Sequence, residues 1–568
     1  MCGIFGSINF TLDDSEVKQS LLSINHRGPD SNGIFRDNNH NYSLIFGHNR
    51  LEILDLKMGS QPMVSEDKQY VVIFNGEIYN FDELRRDLKN KGHKFITNNS
   101  DTEVLIHGYK EWGENLSKYL NGMWVFAIYD KVKKKIFLSR DRFGEKPLFY
   151  FIKKNVFIFS SELSGISCIK KISLTLNKTS LHKYCAYGFF PFQTSPYNDI
   201  FKLEAGKNLS LNLINMNYKI YKYWDYNIEP DYKTSENDWC EQIYNLLNNS
   251  VKKRLVADVP IGIFLSGGLD SSIISYLAQK NNKNQISTFS IGFEENTFDE
   301  TKYSDYFAKK INSKHFHHFI NSPNLLNIYE DFRSKINEPI SDSSLLSYFQ
   351  LCKFARQSVK VCLGGDAADE LFAGYDTFKA IKFLNIIKTL KLNKLNPFVT
   401  HLLSKLPSNY GYMNYKFKLN RFCRFSGNNI ATAHGQWLSP LTNNDIFELF
   451  NQKVNNEEIY SEAIDLWEKN KNLNNIDNSL QFYAKIFLQD QILVKTDRLS
   501  MLNSLEVRSP FLDYDLVDCI RKIPSNLKLK GRTSKYILKK TFEKHLGKKF
   551  THRKKVGFSA PISKWLND

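Results

Sequence analysis

The chain opens Met1-Cys2-Gly3-Ile4, so removal of the initiator methionine would put a thiol and a free α-amine on one residue. An α-amine titrates near pH ~7.7–8.0, far below a lysine, so part of it is unprotonated at neutral pH. Directly or through a water it can activate the thiol, and nucleophile and base then come from a single amino acid. Taken alone, Cys2 reads more readily as an incidental cysteine at a frayed terminus; it is the rest of the chain that overturns this. A second candidate lies far downstream, in Leu265-Ser266-Gly267-Gly268-Leu269-Asp270-Ser271-Ser272. Glycines there let backbone N–H groups approach an anion, serine hydroxyls add donors, and a following helix contributes its positive end. The Walker pattern GxxxxGK[ST] is absent. Asp270 inside the loop would repel a phosphate unless a cation lay between them, which implies Mg²⁺. The bland alternative, a Ser/Gly helix start with an acidic first turn, does not require two glycines and three serines together.

Elements must hold these residues in place, and the pattern changes along the chain. The 568 residues exceed what one core accommodates and suggest roughly two to four domains. The first ~215 read as β-rich, with short apolar or alternating segments at Ser43–Gly47, Tyr70–Phe74, Trp124–Tyr129, Lys135–Leu138 and Val156–Phe159 and a helix near Asp82–Lys91. That suits a sandwich of antiparallel sheets with few helices. A polar stretch from Asp225 to Asp238 reads as a linker. Beyond it a helix over roughly 238–256 leads to a strand at Gly262–Leu265, the glycine turn, a helix carrying Ile273, Ile274, Leu277 and Ala278 on one face, and a strand at Ser287–Ile291. This is a βαβ start and hence a parallel-sheet domain, followed by a mostly helical C-terminal part.

Composition narrows the class. Hydrophobic residues are 42% and charged ones 24%, as in soluble globular proteins. No apolar run approaches the ~18–20 residues that span a bilayer, and the N-terminus lacks the basic and apolar regions of a secretory signal, so no membrane partner and a cytoplasmic home are expected. The eight cysteines are scattered without CxxC or Cys/His spacing, which argues against a disulfide scaffold or a structural zinc. The net charge of +17 comes from lysines spread along the chain, with clusters such as Lys131–Lys135 read as turns, so no nucleic-acid partner is expected.

Cys2-Gly3-Ile4 together with Asn75-Gly76-Glu77-Ile78-Tyr79-Asn80 resembles the class II (Ntn-type) glutamine amidotransferase domain, and SGGLDSS resembles the PP-loop of ATP pyrophosphatases. In this order the two resemble glutamine-dependent asparagine synthetases. The likeness extends through His26–Asp30, Arg140-Asp141, Phe289–Phe293, Gly365–Phe372, Lys495–Arg498, Glu506–Asp513 and Arg553–Phe558. It implies an α+β αββα sandwich over 2–215, a linker over 216–237, and an α/β PP-loop domain with a helical C-terminal part over 238–568. It implies that Cys2 attacks the glutamine side-chain amide, that Asn75 and Gly76 form the oxyanion hole, that Arg50 grips the substrate α-carboxylate, and that Glu77 and Asp101 take its α-ammonium. In the second domain it implies ATP contacts from Leu265, Ser266, Gly267, Gly268, Asp270, Ser271, Ser272, Ile291, Gly364 and Gly365. Asp270 and Asp369 would be the Mg²⁺ ligands, Lys555 would neutralise the departing pyrophosphate, and Asp366 would assist proton removal from the attacking amine. Glu506 and Arg508 are read as scaffold residues. Where the family usually has Ser-Gly-Asp or Ser-Gly-Glu, this chain has Gly364-Gly365-Asp366, one hydroxyl fewer near the nucleotide.

The resemblance implies that glutamine, aspartate and ATP are the substrates, with no prosthetic group, and that the product is asparagine made through β-aspartyl-AMP. A homodimer is the expected assembly. The nearest alternative keeps this machinery and amidates another carboxylate, on a sugar acid or peptide. A β-lactam synthetase-like cyclase would need no ammonia, and Cys2, Asn75 and Gly76 argue against it; a non-catalytic paralogue would not need candidates at every step.

Overall fold

The computed structural model describes all residues except 321–324, 334, 390–414, 426–428, 453–454, 554–559 and 566–568; for 325–326, 385–389 and 563 it describes the backbone only. Twelve strands form the N-terminal region: β1 Gly3–Ile8, β2 Ser31–Asn38, β3 Ser43–Arg50, β4 Met63–Val64, β5 Tyr70–Ile78, β6 Gly122–Asp130, β7 Lys135–Arg140, β8 Phe149–Lys153, β9 Val156–Ser160, β10 Ile200–Lys202, β11 Lys207–Asn212 and β12 Tyr218–Lys222. They make two six-stranded antiparallel sheets, ordered β10-β8-β9-β1-β3-β2 and β12-β11-β7-β6-β5-β4.

Along the central strands the side chains are apolar on both faces because both faces are covered. Ile4 and Ile8 of β1, Val71 and Ile73 of β5, and Val125, Ala127 and Tyr129 of β6 meet between the sheets. The intervening Val72 and Phe74, with Trp124, Phe126 and Ile128, pack outward on Leu84 and Leu88 of helix Phe81–Asn90 and Val104 and Leu105 of helix Asp101–Trp112. On the other side Phe5, Ile45 and Ile158 pack on Val17 and Leu21 of helix Asp14–Ser23, which starts in a capping box between Asp13 and Glu16. The result is the four-layer αββα sandwich. It carries more helix than the strand pattern suggested, since these covering helices interleave with the strands.

The second sheet continues past residue 215: β11 and β12 pair from Lys207↔Lys222 to Leu211↔Tyr218. Residues 216–222 therefore belong to the sandwich rather than to the linker. β12 is the edge strand of that sheet and is largely exposed.

Helix Glu236–Arg254 enters the second region, where β13 Ile261–Phe264, β14 Ser287–Phe293, β15 Lys314–Ile320, β16 Val361–Leu363 and β17 Glu506–Arg508 form one parallel sheet in the order β15-β14-β13-β16-β17. β13 thus sits where the strand order reverses, and in open α/β sheets the crevice beyond the carboxyl ends at that point is where ligands bind. The Ser266–Ser272 loop follows β13 and Gly364–Asp366 follows β16, so both open onto that crevice. The rest of the described residues are mostly helical, with one short antiparallel ribbon of Leu529–Lys530 and Thr533–Ser534. Among the described residues no helix is long and apolar enough to cross a membrane.

Candidate active site

Cys2 precedes β1, and the register Gly3↔Asn49 sets it beside the end of β3, where Arg50 lies. Asn75 and Gly76 come from β5 of the facing sheet. The Cys2 backbone N–H donates to Asn75 Oδ1 at 2.9 Å. Only an oxygen can accept that proton, so the contact fixes the orientation of the Asn75 amide. Its Nδ2 is then a buried donor with no hydrogen-bond partner. A buried amide left so costs about 1–3 kcal/mol unless something is meant to meet it. At Gly76 a Cβ would stand 2.0 Å from the Met123 carbonyl oxygen of β6, so the close approach of β5 and β6 requires glycine. Burial pushes the Cys2 thiol up, and the neighbouring N-terminal charge pulls it back.

Arg50 is buried, and its guanidinium donates to the Asp55 carbonyl at 2.7 Å and the Leu54 carbonyl at 3.2 Å. Asp101 begins helix Asp101–Trp112 and accepts from the Ile78 N–H at 3.1 Å; burial raises its carboxyl to about 6. Glu77, also buried, lies 3.1 Å from Arg508 of the other domain, and burial raises its carboxyl well above the usual range against the pull of that arginine. Arg50, Glu77 and Asp101, the residues expected to bind glutamine, therefore lie close enough to act electrostatically on Cys2 or on one another.

The second domain closes on this cluster. Glu506 and Arg508 do more than brace the scaffold: on β17 they reach the N-terminus. Glu506 Oε2 is 3.0 Å from the Met1 α-ammonium with both groups fully buried, and Arg508 bridges Glu506 at 2.6 Å and Glu77. Against the cost of burial, the N-terminal charge and Arg508 hold Glu506 below its ordinary range. Alongside, Arg27 donates to the Cys2 carbonyl at 3.1 Å, to Glu162 at 2.8 Å and to Asp497 at 2.8 and 3.0 Å. Arg498 joins Glu162 to Glu338, each at 3.1 Å. Sequence reading missed the pairs Met1–Glu506, Glu77–Arg508, Arg27–Asp497 and Glu162–Arg498 because each spans the two domains.

At the phosphate loop, Gly267 has φ +74°, and a Cβ there would lie 2.7 Å from the Ser304 nitrogen. Gly268 N donates to Ser266 Oγ at 3.2 Å, and Ser266 and Ser271 hydroxyls pair at 3.1 Å, so the loop is pre-shaped by its own side chains. Helix Leu269–Asn281 begins within it and points its N-terminal N–H groups at the crevice. Ser266, Gly268 and Asp270 reach the surface, whereas Ser271 and Ser272 are buried. Leu265 is held by β14 through its N–H to the Phe289 carbonyl at 2.9 Å, next to Ile291. Gly365 brings the β16 turn against the loop, a Cβ there falling 3.1 Å from Asp270 Cβ. Gly364 N donates to the Arg508 carbonyl at 2.9 Å.

Asp270 and Asp369 converge on one cationic point: the Lys535 ammonium is 2.7 Å from each carboxylate. Two hard oxygen donors already brought within reach of a single cation fit a Mg²⁺ site shared with phosphates. Lys535 was not foreseen. Asp366 accepts from Thr496 Oγ1 at 3.3 Å; burial raises its carboxyl, and Lys495 opposes that. Lys495 is itself paired with Asp342 at 3.1 Å. Lys555 lies outside the described residues.

Residues 1–224 match the family model for the glutamine amidotransferase domain, and residues 242–568 match that for asparagine synthase. Asparagine synthetase [glutamine-hydrolyzing] 1 of Bacillus subtilis is 31% identical over 100% of this chain and 88% of its own length. The enzyme numbered 3 in that organism is 30% identical over 100% and 89%. A Methanocaldococcus jannaschii protein is 36% identical over 88% of this chain and 98% of its own. With a paired nucleophile site and phosphate loop joined through one buried interface, the chain belongs to the glutamine-hydrolysing asparagine synthase family.

Proposed function

We propose that this protein makes asparagine from aspartate, with glutamine as the nitrogen donor and ATP as the activating substrate. The observation that carries the glutaminase half is Asn75: Oδ1 holds the Cys2 nitrogen while Nδ2 is buried without a partner. Once Met1 is removed, the amine takes the Cys2 thiol proton and the thiolate attacks the glutamine amide carbon. Asn75 Nδ2 and the Gly76 N–H receive the oxyanion, an interaction realised only as charge develops. Collapse expels ammonia, which carries the proton from the amine, and water hydrolyses the thioester to glutamate. Arg50 faces the substrate carboxylate and Glu77 with Asp101 its ammonium.

In the second domain the aspartate β-carboxylate attacks the α-phosphorus of ATP held by the Ser266–Ser272 loop, and pyrophosphate leaves. Activation is needed because a carboxylate is a poor electrophile. Ammonia then attacks the acyl carbon, Asp366 accepts its proton, and AMP departs. Mg²⁺ held by Asp270 and Asp369 would neutralise phosphate charge, and Lys555 the leaving pyrophosphate. A cytoplasmic homodimer is part of this reading; light scattering checks the dimer.

The test supplies glutamine, MgATP and aspartate and quantifies asparagine, AMP, pyrophosphate and glutamate together. Equal asparagine, AMP and pyrophosphate are expected, and Cys2→Ala should lose glutamine use while keeping ammonia-dependent synthesis. Glutamate without asparagine would move the acceptor to another carboxylic acid.

A further inference from the structure

At the edge of the parallel sheet, behind the phosphate loop, three metal-ligating side chains face one another. His315 and His317 are two residues apart on β15, so their side chains leave the same face of the strand. Helix Thr301–Lys310 covers that face and supplies Asp305. His315 Nε2 is 3.6 Å from Asp305 Oδ1, and His317 Nδ1 is 3.7 Å from the same oxygen. All three donor atoms lie within 4.8 Å of one another. In a tetrahedral site with zinc bonds of ~2.0–2.1 Å, neighbouring ligand atoms stand about 3.3 Å apart. The two measured edges are therefore a few tenths of an ångström from the required triangle without any change of backbone.

From this geometry we propose that Asp305, His315 and His317 bind a divalent transition ion of the Zn²⁺ type, with a fourth position open to solvent. Two imidazoles and a carboxylate are the donors such an ion takes, and they are too few in oxygen for Mg²⁺ or Ca²⁺. Neighbouring hydroxyls orient these ligands. His315 Nδ1 is 2.8 Å from Thr288 Oγ1 on the neighbouring strand, and a proton on Nδ1 donated to that hydroxyl leaves the Nε2 lone pair facing Asp305. Ser290 and Ser304 hydroxyls, 3.2 and 3.3 Å from Nε2, satisfy it when no ion is bound. His315 is 8% exposed, whereas His317 and Asp305 are 41% and 43% exposed, so the ion would enter from solvent and leave one coordination position there. His318, one residue on, points the other way and stacks on Phe354, which makes it an internal control.

Bound there, the ion would pin the edge strand to the helix that backs the phosphate loop, since Ser304, adjacent to Asp305, is the residue packed against Gly267. The test uses the full-length, tag-free protein stripped with chelator and titrated with Zn²⁺ in competition with a chromogenic chelator. One high-affinity equivalent per chain is expected, weakened at least tenfold by His317→Ala and by Asp305→Asn but unchanged by His318→Ala. Thr288→Val, which removes only the orienting hydroxyl, should cost roughly tenfold. Circular dichroism establishes that the exposed-site variant His317→Ala remains folded. Equal zinc stoichiometry and affinity in the wild type and His317→Ala, or no binding by either, would overturn the site.

Discussion

Asn75 does two jobs with one amide. Its oxygen is committed to the Cys2 nitrogen, so its NH₂ cannot rotate away from the place where a carbonyl oxygen would gain charge. Asn75→Ala should therefore lower glutaminase kcat by ~10²–10³, or about 2.7–4 kcal/mol, with little change in glutamine KM and none in ammonia-dependent synthesis. Asn75→Asp is the sharper variant: it keeps the acceptor for Cys2, loses the donor, and should be no more active than alanine. Asp101 gives a pH signature. Burial lifts its carboxyl to about 6, so below that pH it is neutral and cannot pair with an ammonium. Glutamine KM in the glutaminase assay should rise as pH falls through about 6, and Asp101→Asn should show a high KM without that step. A pH-independent wild-type KM would remove Asp101 from substrate binding.

The phosphate loop is set by the elements around it. Gly267 adopts φ +74° with the start of helix Thr301–Lys310 pressed against it, so a methyl group meets both the wrong backbone region and the Ser304 nitrogen. Gly267→Ala should cost ~1–3 kcal/mol of local strain. It should raise the KM for ATP in synthesis, while glutamine hydrolysis, governed by the other sheet pair, continues. This loop was legible in the sequence because its signal is local: an apolar strand, glycines and an amphipathic helix are contiguous. The same holds for β5, β6 and β7, where runs such as Trp124–Tyr129 are apolar on both faces. Strand β1 reads Gly-Ile-Phe-Gly-Ser-Ile and shows no clear alternation; it is a strand because β3 and β9 flank it. Helix Asp101–Trp112 was hidden for a similar reason, its identity depending on the β5–β6 face it covers. Lys535 was illegible because its partner Asp270 is 265 positions away.

At the scale of the whole molecule the two chemistries are coupled by buried charge. Arg27 and Asp497 are 470 positions apart, yet their paired contact is fully inside, with Glu162 and Lys146 closing around it. Against burial, Arg27 and Lys146 hold the Asp497 carboxyl below its ordinary range, so it is ionised across the neutral pH range. Such a network contributes little net stability when complete, but breaking one member of a buried pair costs about 3–5 kcal/mol. Its geometry suggests what it secures instead. Arg27 also holds the Cys2 carbonyl, and Asp497 lies one residue beyond Thr496, the partner of Asp366. A single chain of contacts thus runs from the nucleophile of one domain to the acidic residue of the other. Asp497→Asn leaves Arg27 paired with Glu162 and Cys2, so glutamine hydrolysis should persist. It removes one of the anions that join the domains, and the interface should loosen. The expected result is a lower Tm and a glutamate-to-asparagine ratio above one, because ammonia released at Cys2 escapes before it is used. A ratio held at one with unchanged Tm would reduce the cluster to passive packing.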